Sequence, residues 1–168
     1  MFIYANSKSI EKDIGVVYKE ETIHFISEGR WSNYELLMYL LNKTGPAKVF
    51  ISSYSICEAA IRTFQKGIAS GMFTELTCLF DTSIKKNKID LLFFISNIVK
   101  NIYMAPNHSK IILLENKDWN IVVNGSANLN NNIRYEAGVI CTEKATYALY
   151  KQKIDELIEK AILLNMYE

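Results

Sequence analysis

Apolar residues fall into short continuous runs that alternate with stretches in which they recur every three or four residues. The runs at 22–26, 48–54 and 75–80 have the length and the branched or aromatic side chains that are typical of strands. The spacing after each run predicts a helix. Strands that alternate with helices pair in parallel through right-handed crossovers, so this order predicts an α/β fold with a mixed, mostly parallel β-sheet flanked by helices.

Local signals bound the predicted helices. Ser32 and Glu35 form a capping box at the start of the first helix, and Gly45 marks its end. The second and third helices are predicted from apolar residues at helical spacing within 56–64 and 91–99. Each helix therefore has one apolar side, which the sheet is expected to cover.

The C-terminal part of the chain predicts one more strand, at 137–142, and a long amphipathic helix at 146–167. We expect this helix to pack on the sheet, while partner binding or contact with a membrane surface is the alternative. Its apolar residues, with charged residues between them, are Tyr147, Tyr150, Ile154, Leu157, Ile158, Ala161 and Ile162.

A β-hairpin is predicted from two apolar runs, 111–114 and 119–123, which a cluster of polar turn-forming residues separates. His108 and Lys110 open the first run. Because residues two apart on a strand point to the same face, these two side chains are expected to project together. The second run leads into a short polar segment that begins at Gly125. The hairpin therefore brings two sets of polar groups to one end of the sheet.

The side chains at that end suit a phosphate group. An imidazole can act as nucleophile or general acid, and an ammonium can hold the phosphate oxygens. Ser126 and Asn128 add a hydroxyl and an amide that can donate hydrogen bonds, and Gly125 allows the backbone to approach a ligand closely. This set requires no metal ion and no other cofactor. Either motif alone is common, but both in this order indicate a phosphate site.

The order of these motifs resembles the signature of the phospholipase D superfamily of phosphodiesterases. That signature is H-x-K, four residues, D, six residues, and then G-S-x-x-N or G-S-x-N. The matching residues are His108, Lys110, Gly125, Ser126 and Asn128. The resemblance implies a phospholipase D-like half-site domain, which we expect to span residues 1–168 as a single domain.

The acidic position of the signature departs from the family pattern. Counting on from Lys110 reaches Glu115, whereas counting back from Gly125 reaches Asp118, so the hairpin loop is about three residues longer than usual. In the family this residue is structural and lies away from the phosphate. Glu136 resembles the acidic residue that supports a catalytic histidine in many members.

The resemblance implies a metal-independent phosphodiesterase, and we favour a nuclease that cleaves DNA or RNA through a phosphohistidine. Transfer at phosphorus in two steps needs two histidines, one to attack and one to protonate the leaving oxygen. His24 lies in an apolar strand and is expected to be structural, which leaves only His108. A homodimer completes the site by symmetry, as in small bacterial endonucleases of the superfamily.

In this scheme His108 attacks phosphorus, Lys110 and Asn128 hold the non-bridging oxygens, Ser126 adds a hydrogen bond and Glu136 orients a histidine. Two alternatives stay open. One is a phospholipid hydrolase or transferase of the same superfamily, and the other is a nucleic-acid-binding module that has lost turnover.

Composition limits the possibilities further. The chain has 168 residues, 49% of them hydrophobic, which is enough for one domain with a real core. A formal net charge of +1 excludes a strongly basic surface, although Lys85, Lys86 and Lys88 form a local cluster that is more typical of a solvated loop.

The sequence also predicts the cellular location of the protein and the state of its cysteines. The first residues lack an apolar core of signal-peptide length and no run approaches a membrane span, so we expect a soluble, cytoplasmic protein. Cys57, Cys78 and Cys141 are odd in number and have no CxxC pair. They are expected to be buried free thiols, as in a reducing compartment.

Overall fold

The computed structural model describes residues 1–131 and 133–164. The strands are β1 (Phe2–Ala5), β2 (Thr22–Ser27), β3 (Ala47–Ser53), β4 (Phe73–Asp81), β5 (Asn101–Ala105), β6 (Ile111–Glu115), β7 (Asn120–Gly125), β8 (Glu136–Cys141) and β9 (Ile162–Leu163). The helices are α1 (Ile10–Asp13), α2 (Asn33–Thr44), α3 (Glu58–Ala69), α4 (Ile84–Asn87), α5 (Ile89–Ser96) and α6 (Lys144–Ile158). The strands form one sheet in the order β1, β2, β8, β7, β6, β3, β4, β5, β9.

The prediction of a mixed sheet flanked by helices is confirmed, but the prediction that it is mostly parallel is wrong. Three neighbouring pairs are parallel: β1 with β2, β3 with β4, and β4 with β5. The other five pairs are antiparallel. The reason is the position of the β6–β7 hairpin, which lies with β8 in the middle of the sheet, between β2 and β3. Sequence order suggested that β2 and β3 were neighbours, and they are not.

Short elements near the chain ends were not predicted. Edge strand β1 pairs with β2, and β9 pairs with β5 where the C-terminal helix was expected to continue. The predicted helix at 146–167 is therefore too long, because α6 ends at Ile158 and the chain turns to donate from Leu164 N–H to the Ile102 carbonyl, at 2.8 Å. Residues 165–168 of that prediction lie outside the described residues.

The predicted start and end of α2 are confirmed. Ser32 Oγ accepts a hydrogen bond from Glu35 N–H, and Glu35 Oε2 accepts one from Ser32 N–H at 2.7 Å. Together these bonds satisfy two of the free amide groups at the helix N-terminus. Gly45 follows the helix with a φ of 88°, a left-handed conformation that glycine adopts without strain.

Apolar side chains cover both faces of the sheet. On one face, α2, α3 and α5 pack over residues such as Ile51, Ile112 and Val123, which are buried. On the other, α6 places Tyr147 and Ile154 in a smaller core. Packing of α6 on the sheet is therefore confirmed. The hairpin strands are buried on both faces, which fixes their position rigidly.

All three cysteines are free thiols. Cys78 and Cys141 are buried as predicted, whereas Cys57 is only half-buried. Burial raises the pKa of the Cys78 thiol to about 12, so this thiol stays protonated and unreactive. Among residues 1–131 and 133–164, no helix is both long enough and apolar enough to cross a bilayer.

Candidate active site

The predicted site residues meet at one end of the sheet, which we call the site end. The carboxyl ends of β3, β4, β5 and β7 and the amino ends of β6 and β8 lie there. His108 and Lys110 lie between β5 and β6, Ser126 and Asn128 follow β7, and Glu136 is the first residue of β8. A sheet end of this kind presents loop side chains on a rigid support.

His108 and Lys110 are in direct contact. Lys110 Nζ lies 2.9 Å from His108 Nδ1 and 3.2 Å from Nε2, and it donates to the His108 carbonyl at 2.5 Å. The predicted projection of the two side chains to one side is therefore confirmed, although both residues precede β6.

The two residues differ in exposure. His108 is exposed, whereas Lys110 is only 8% exposed. Burial lowers the pKa of Lys110, and the negative charge of Glu136 partly offsets that effect. The imidazole is therefore accessible to a substrate, and the ammonium lies beneath it at a position with little competing water.

The loop before β6 is held by polar contacts that the sequence did not reveal. Asn107 is buried, and its backbone N–H donates to Asp81 Oδ2 at 2.8 Å. Its side chain donates to Ser52 Oγ at 2.9 Å and accepts from Ser109 Oγ at 2.7 Å. These bonds fix the residues on both sides of His108. No local motif predicts the bonds to Ser52 and Asp81, because those two residues lie on β3 and β4.

Asp81, at the end of β4, brings a negative charge to this loop. Burial raises the pKa of Asp81, but hydrogen bonds from Ser83 and Asn107 and the charge of His108 outweigh it. The pKa of this carboxyl therefore lies below its ordinary value. The carboxylate is available to stabilise positive charge on the imidazole.

Gly125 and Ser126 are tied to the neighbouring strands. Gly125 N–H donates to the Lys110 carbonyl at 3.2 Å, which joins the two motif segments. A Cβ at Gly125 would lie 2.6 Å from the Ala137 carbonyl oxygen. The close approach that this glycine permits is therefore to β8, whereas the sequence suggested a ligand. Ser126 Oγ donates to Glu136 Oε2.

Asn128 connects the second segment to the end of β3. Its Oδ1 accepts hydrogen bonds from Tyr54 N–H at 3.1 Å and from Ser53 Oγ at 3.3 Å. The amide oxygen is used in this way, so the NH₂ group is the part of the side chain that remains to donate to a ligand. Asn33 also fastens this segment, since its Nδ2 donates to the Ala127 carbonyl at 2.7 Å.

An aromatic side chain also lies beside the imidazole. The ring of Tyr54 lies 5.0 Å from the ring of His108, centroid to centroid, with an interplanar angle of 55°. Lys110 Nζ lies 5.9 Å from the Tyr54 centroid. The residue was not predicted as part of the site, because Tyr54 stands at the end of a strand far from the motif in sequence.

The two candidates for the acidic motif position lie at the hairpin turn, away from His108. Glu115 Oε2 accepts a hydrogen bond from Tyr147 OH at 3.2 Å. Asp118 is exposed and forms a loose ion pair with Lys117, with 3.8 Å between Nζ and Oδ2. The Glu115 contact joins the hairpin to α6.

Other predicted features lie elsewhere. His24 is exposed on β2. Lys85 and Lys86 are exposed on α4, whereas Lys88 Nζ donates to the Ile56 carbonyl at 2.8 Å and is used structurally. In the described part of the chain, no group of three or more His, Cys, Asp or Glu residues is arranged to hold a metal ion.

The chain shares its fold with solved structures, one of which is a phospholipase D family member. NucT from Helicobacter pylori matches with a TM-score of 0.64 and 18% identity, over 86% of this chain and 100% of that one. Nuc from Salmonella typhimurium, a phospholipase D family member, matches with a TM-score of 0.66 and 14% identity, over 86% of this chain and 99% of that one.

A third similar structure is TrmBL2, an archaeal chromatin protein with a novel mode of DNA binding. Its TM-score is 0.56 at 14% identity, and the match covers 84% of this chain and 54% of that one. No protein-family model matches the sequence, and no curated protein matches it either. At these identities, the similarity describes the fold alone.

Proposed function

We propose that this chain is a metal-independent phosphodiesterase, specifically a nuclease that cleaves DNA or RNA, and that it acts as a homodimer. The observation that carries the proposal is the contact between the exposed imidazole of His108 and the buried ammonium of Lys110, 2.9 Å apart. A nucleophile with a fixed cation beside it is what an attack on a phosphodiester needs. The fold, shared with a phospholipase D family member, supports the same chemistry.

The first step is attack of a His108 ring nitrogen on phosphorus. A nitrogen–phosphorus bond forms, the bond to the leaving oxygen breaks, and the second histidine gives that oxygen a proton. In the second step the same histidine removes a proton from water, which attacks phosphorus and releases His108. Lys110 and the Asn128 amide stabilise the charge that develops on the non-bridging oxygens.

The remaining predicted residues have supporting roles. Ser126 adds a hydrogen bond to the phosphate, and Glu136 orients a histidine through its ring N–H. Support for this grouping is the charge interaction between Glu136 and Lys110. The Ser126 hydroxyl donates to Glu136 in the structure, so it must rotate to donate to the phosphate when substrate binds.

The second histidine comes from a second copy of the chain. His24, the other histidine of the sequence, lies on β2 outside the site loops. An isologous dimer with its two-fold axis near His108 places two such imidazoles on opposite sides of one phosphate. Each chain then supplies half of one active site.

The proposed activity is tested by incubating plasmid DNA or a chromogenic phosphodiester with the protein in excess EDTA. We expect hydrolysis to continue, and rapid denaturation during turnover to trap a phosphohistidine that His108→Ala lacks. Activity that disappears with EDTA, or that survives His108→Ala, would contradict the mechanism. Hydrolysis of phospholipid vesicles without any cleavage of nucleic acid would instead identify a lipid enzyme.

A second candidate is a DNA-binding module without turnover. The similarity to TrmBL2, a chromatin protein that binds DNA, favours it. Tight binding of DNA by a monomer, without a trapped phosphohistidine, would identify this function. The accessible His108 in contact with Lys110 favours the enzyme.

A further inference from the structure

Tyr54 combines exposure with a fixed position beside the nucleophile. It is 36% exposed, and its ring centroid lies 5.0 Å from that of His108. The exposed part of the ring lies at the site end, where it is available for contact with a bound group. The ring can contact whatever group is attached to a phosphate held by His108.

The backbone at Tyr54 is held by both adjoining segments. Its N–H donates to Asn128 Oδ1 at 3.1 Å, and the preceding Ser53 Oγ donates to the Ser55 carbonyl at 2.7 Å. The next residues are also fixed, because Leu129 N–H donates to the Ser55 carbonyl at 3.2 Å. Tyr54 is therefore presented by a rigid turn that the second motif segment itself stabilises.

The groups next to a phosphate in a nucleic acid are a sugar and its base. A flat aromatic ring stacks on the face of a base without reading its sequence, as in proteins that bind single strands. A formal net charge of only +1 gives little general electrostatic attraction to a polyanion. Stacking can supply the binding energy that charge does not.

Building on the nuclease function proposed above, we propose that Tyr54 stacks on the base beside the scissile phosphate and that the substrate is therefore an unpaired strand. In a duplex each base is stacked and paired inside the helix, so its face is closed to a side chain at this distance from the phosphate. Only a single strand, a loop or a frayed end can present an open base to Tyr54 while its phosphate lies at His108.

The test compares Tyr54→Leu with Tyr54→Phe on three labelled oligonucleotides of one sequence, all in EDTA. These are a single strand, its duplex, and a single strand with abasic sugars on both sides of each phosphate. We expect the wild type to prefer the single strand. Tyr54→Leu, which removes the ring, should lower kcat/KM on that strand roughly tenfold, equivalent to about 1.4 kcal/mol, while Tyr54→Phe stays near wild type.

The abasic strand distinguishes stacking from positioning of His108. If Tyr54 stacks on a base, Tyr54→Leu and the wild type should cleave the abasic strand equally well. An equal loss on the normal and abasic strands would show that the ring only supports the imidazole, and it would overturn the proposal. Equal cleavage of duplex and single strand by the wild type would also overturn it.

Binding separates this proposal from the nuclease function itself. Fluorescence anisotropy with His108→Asn as the common background measures the Kd of the single strand without cleavage. If the wild type cleaves nothing but Tyr54→Leu still weakens binding roughly tenfold in that background, the nuclease function fails and the stacking role stands. If neither cleavage nor binding is seen, both proposals are wrong.

Discussion

The two ends of the β6–β7 hairpin differ in what their charged residues do. At the site end, Lys110 is 8% exposed and contacts His108, and the surrounding polar groups come from several strands. At the turn end, the Lys117 side chain is 90% exposed and its ion pair with Asp118 is 3.8 Å long. The same two strands thus carry a preorganised cluster at one end and a solvated turn at the other.

This difference explains why a change in hairpin length need not affect the site. The turn is closed by Asn116, whose Oδ1 accepts from Asp118 N–H at 3.0 Å and from Trp119 N–H at 2.9 Å. Register between β6 and β7 is set by buried pairs such as Ile112 with Val123. Residues added at the turn are therefore absorbed there, away from His108.

The largest expected effect is at His108. His108→Ala should lower kcat by roughly 10³-fold or more, because it removes the nucleophile and the proton donor together. The free energy of unfolding, measured in urea, should change by no more than about 0.5 kcal/mol, because the side chain is exposed. A variant that unfolds much more easily than wild type would show that His108 has a structural role instead.

The next largest effect is expected from replacing Lys110, compared with replacing Lys117 at the other end of the hairpin. Lys110→Met should lower kcat by roughly 10²- to 10³-fold, because the charge on the phosphate oxygens loses its cation. Lys117→Met, at the turn, is the matched control and should keep wild-type kcat. The measurement is steady-state hydrolysis of one oligonucleotide by both variants. An equal loss of kcat in Lys110→Met and Lys117→Met would contradict a specific role of Lys110 in catalysis.

The alkaline limb of the pH profile should report Lys110. Burial lowers the pKa of Lys110 and Glu136 raises it, so Glu136→Gln should lower this pKa further. The ammonium is then lost at a lower pH, so the fall in activity on the alkaline side should begin at a lower pH in this variant than in the wild type. The check is kcat/KM against pH, with Glu115→Gln as control. If the alkaline limb of Glu136→Gln stays at the wild-type pH or moves to a higher pH, Glu136 does not raise the pKa of Lys110.

Stability should respond more than activity at the turn end. Tyr147→Phe removes the hydroxyl that donates a hydrogen bond to Glu115. The free energy of unfolding should therefore fall by about 0.5 to 1.5 kcal/mol. Urea titration measures the change, and kcat should stay within twofold or so of wild type. Asp118→Ala, on the exposed turn, should change stability by no more than about 0.5 kcal/mol. A large loss of kcat in Tyr147→Phe would show that the two ends are coupled.

Much of the fold could be predicted because the signals were local. The Ser32 and Glu35 cap, the hairpin turn and the parallel β3–β4 unit depend on residues close in sequence, whereas β5 was not predicted. The mostly antiparallel sheet could not be predicted, because it follows from where the hairpin inserts, a choice made by long-range packing. The overlong C-terminal helix failed because helical spacing does not reveal a competing edge pairing with β5.

In the site, too, residues with local sequence signals were predicted, and residues positioned by long-range contacts were not. His108 and Lys110 were found from their spacing, and the structure brings them into contact. Asp81, Asn107 and Tyr54 were missed, because each owes its place to a strand end that only the folded sheet brings there. Gly125 was found as a position of close backbone approach, and the structure shows that β8 is one close neighbour.

The central claim, that each chain supplies half of one active site, is tested most directly by mixing subunits. Wild type and His108→Ala are unfolded together in known proportions and refolded, and total activity is plotted against the wild-type fraction. If a histidine from each chain is needed, activity should follow the square of that fraction, so an equal mixture should retain about one quarter. A straight line, with about half the activity in that mixture, would mean that one chain is enough.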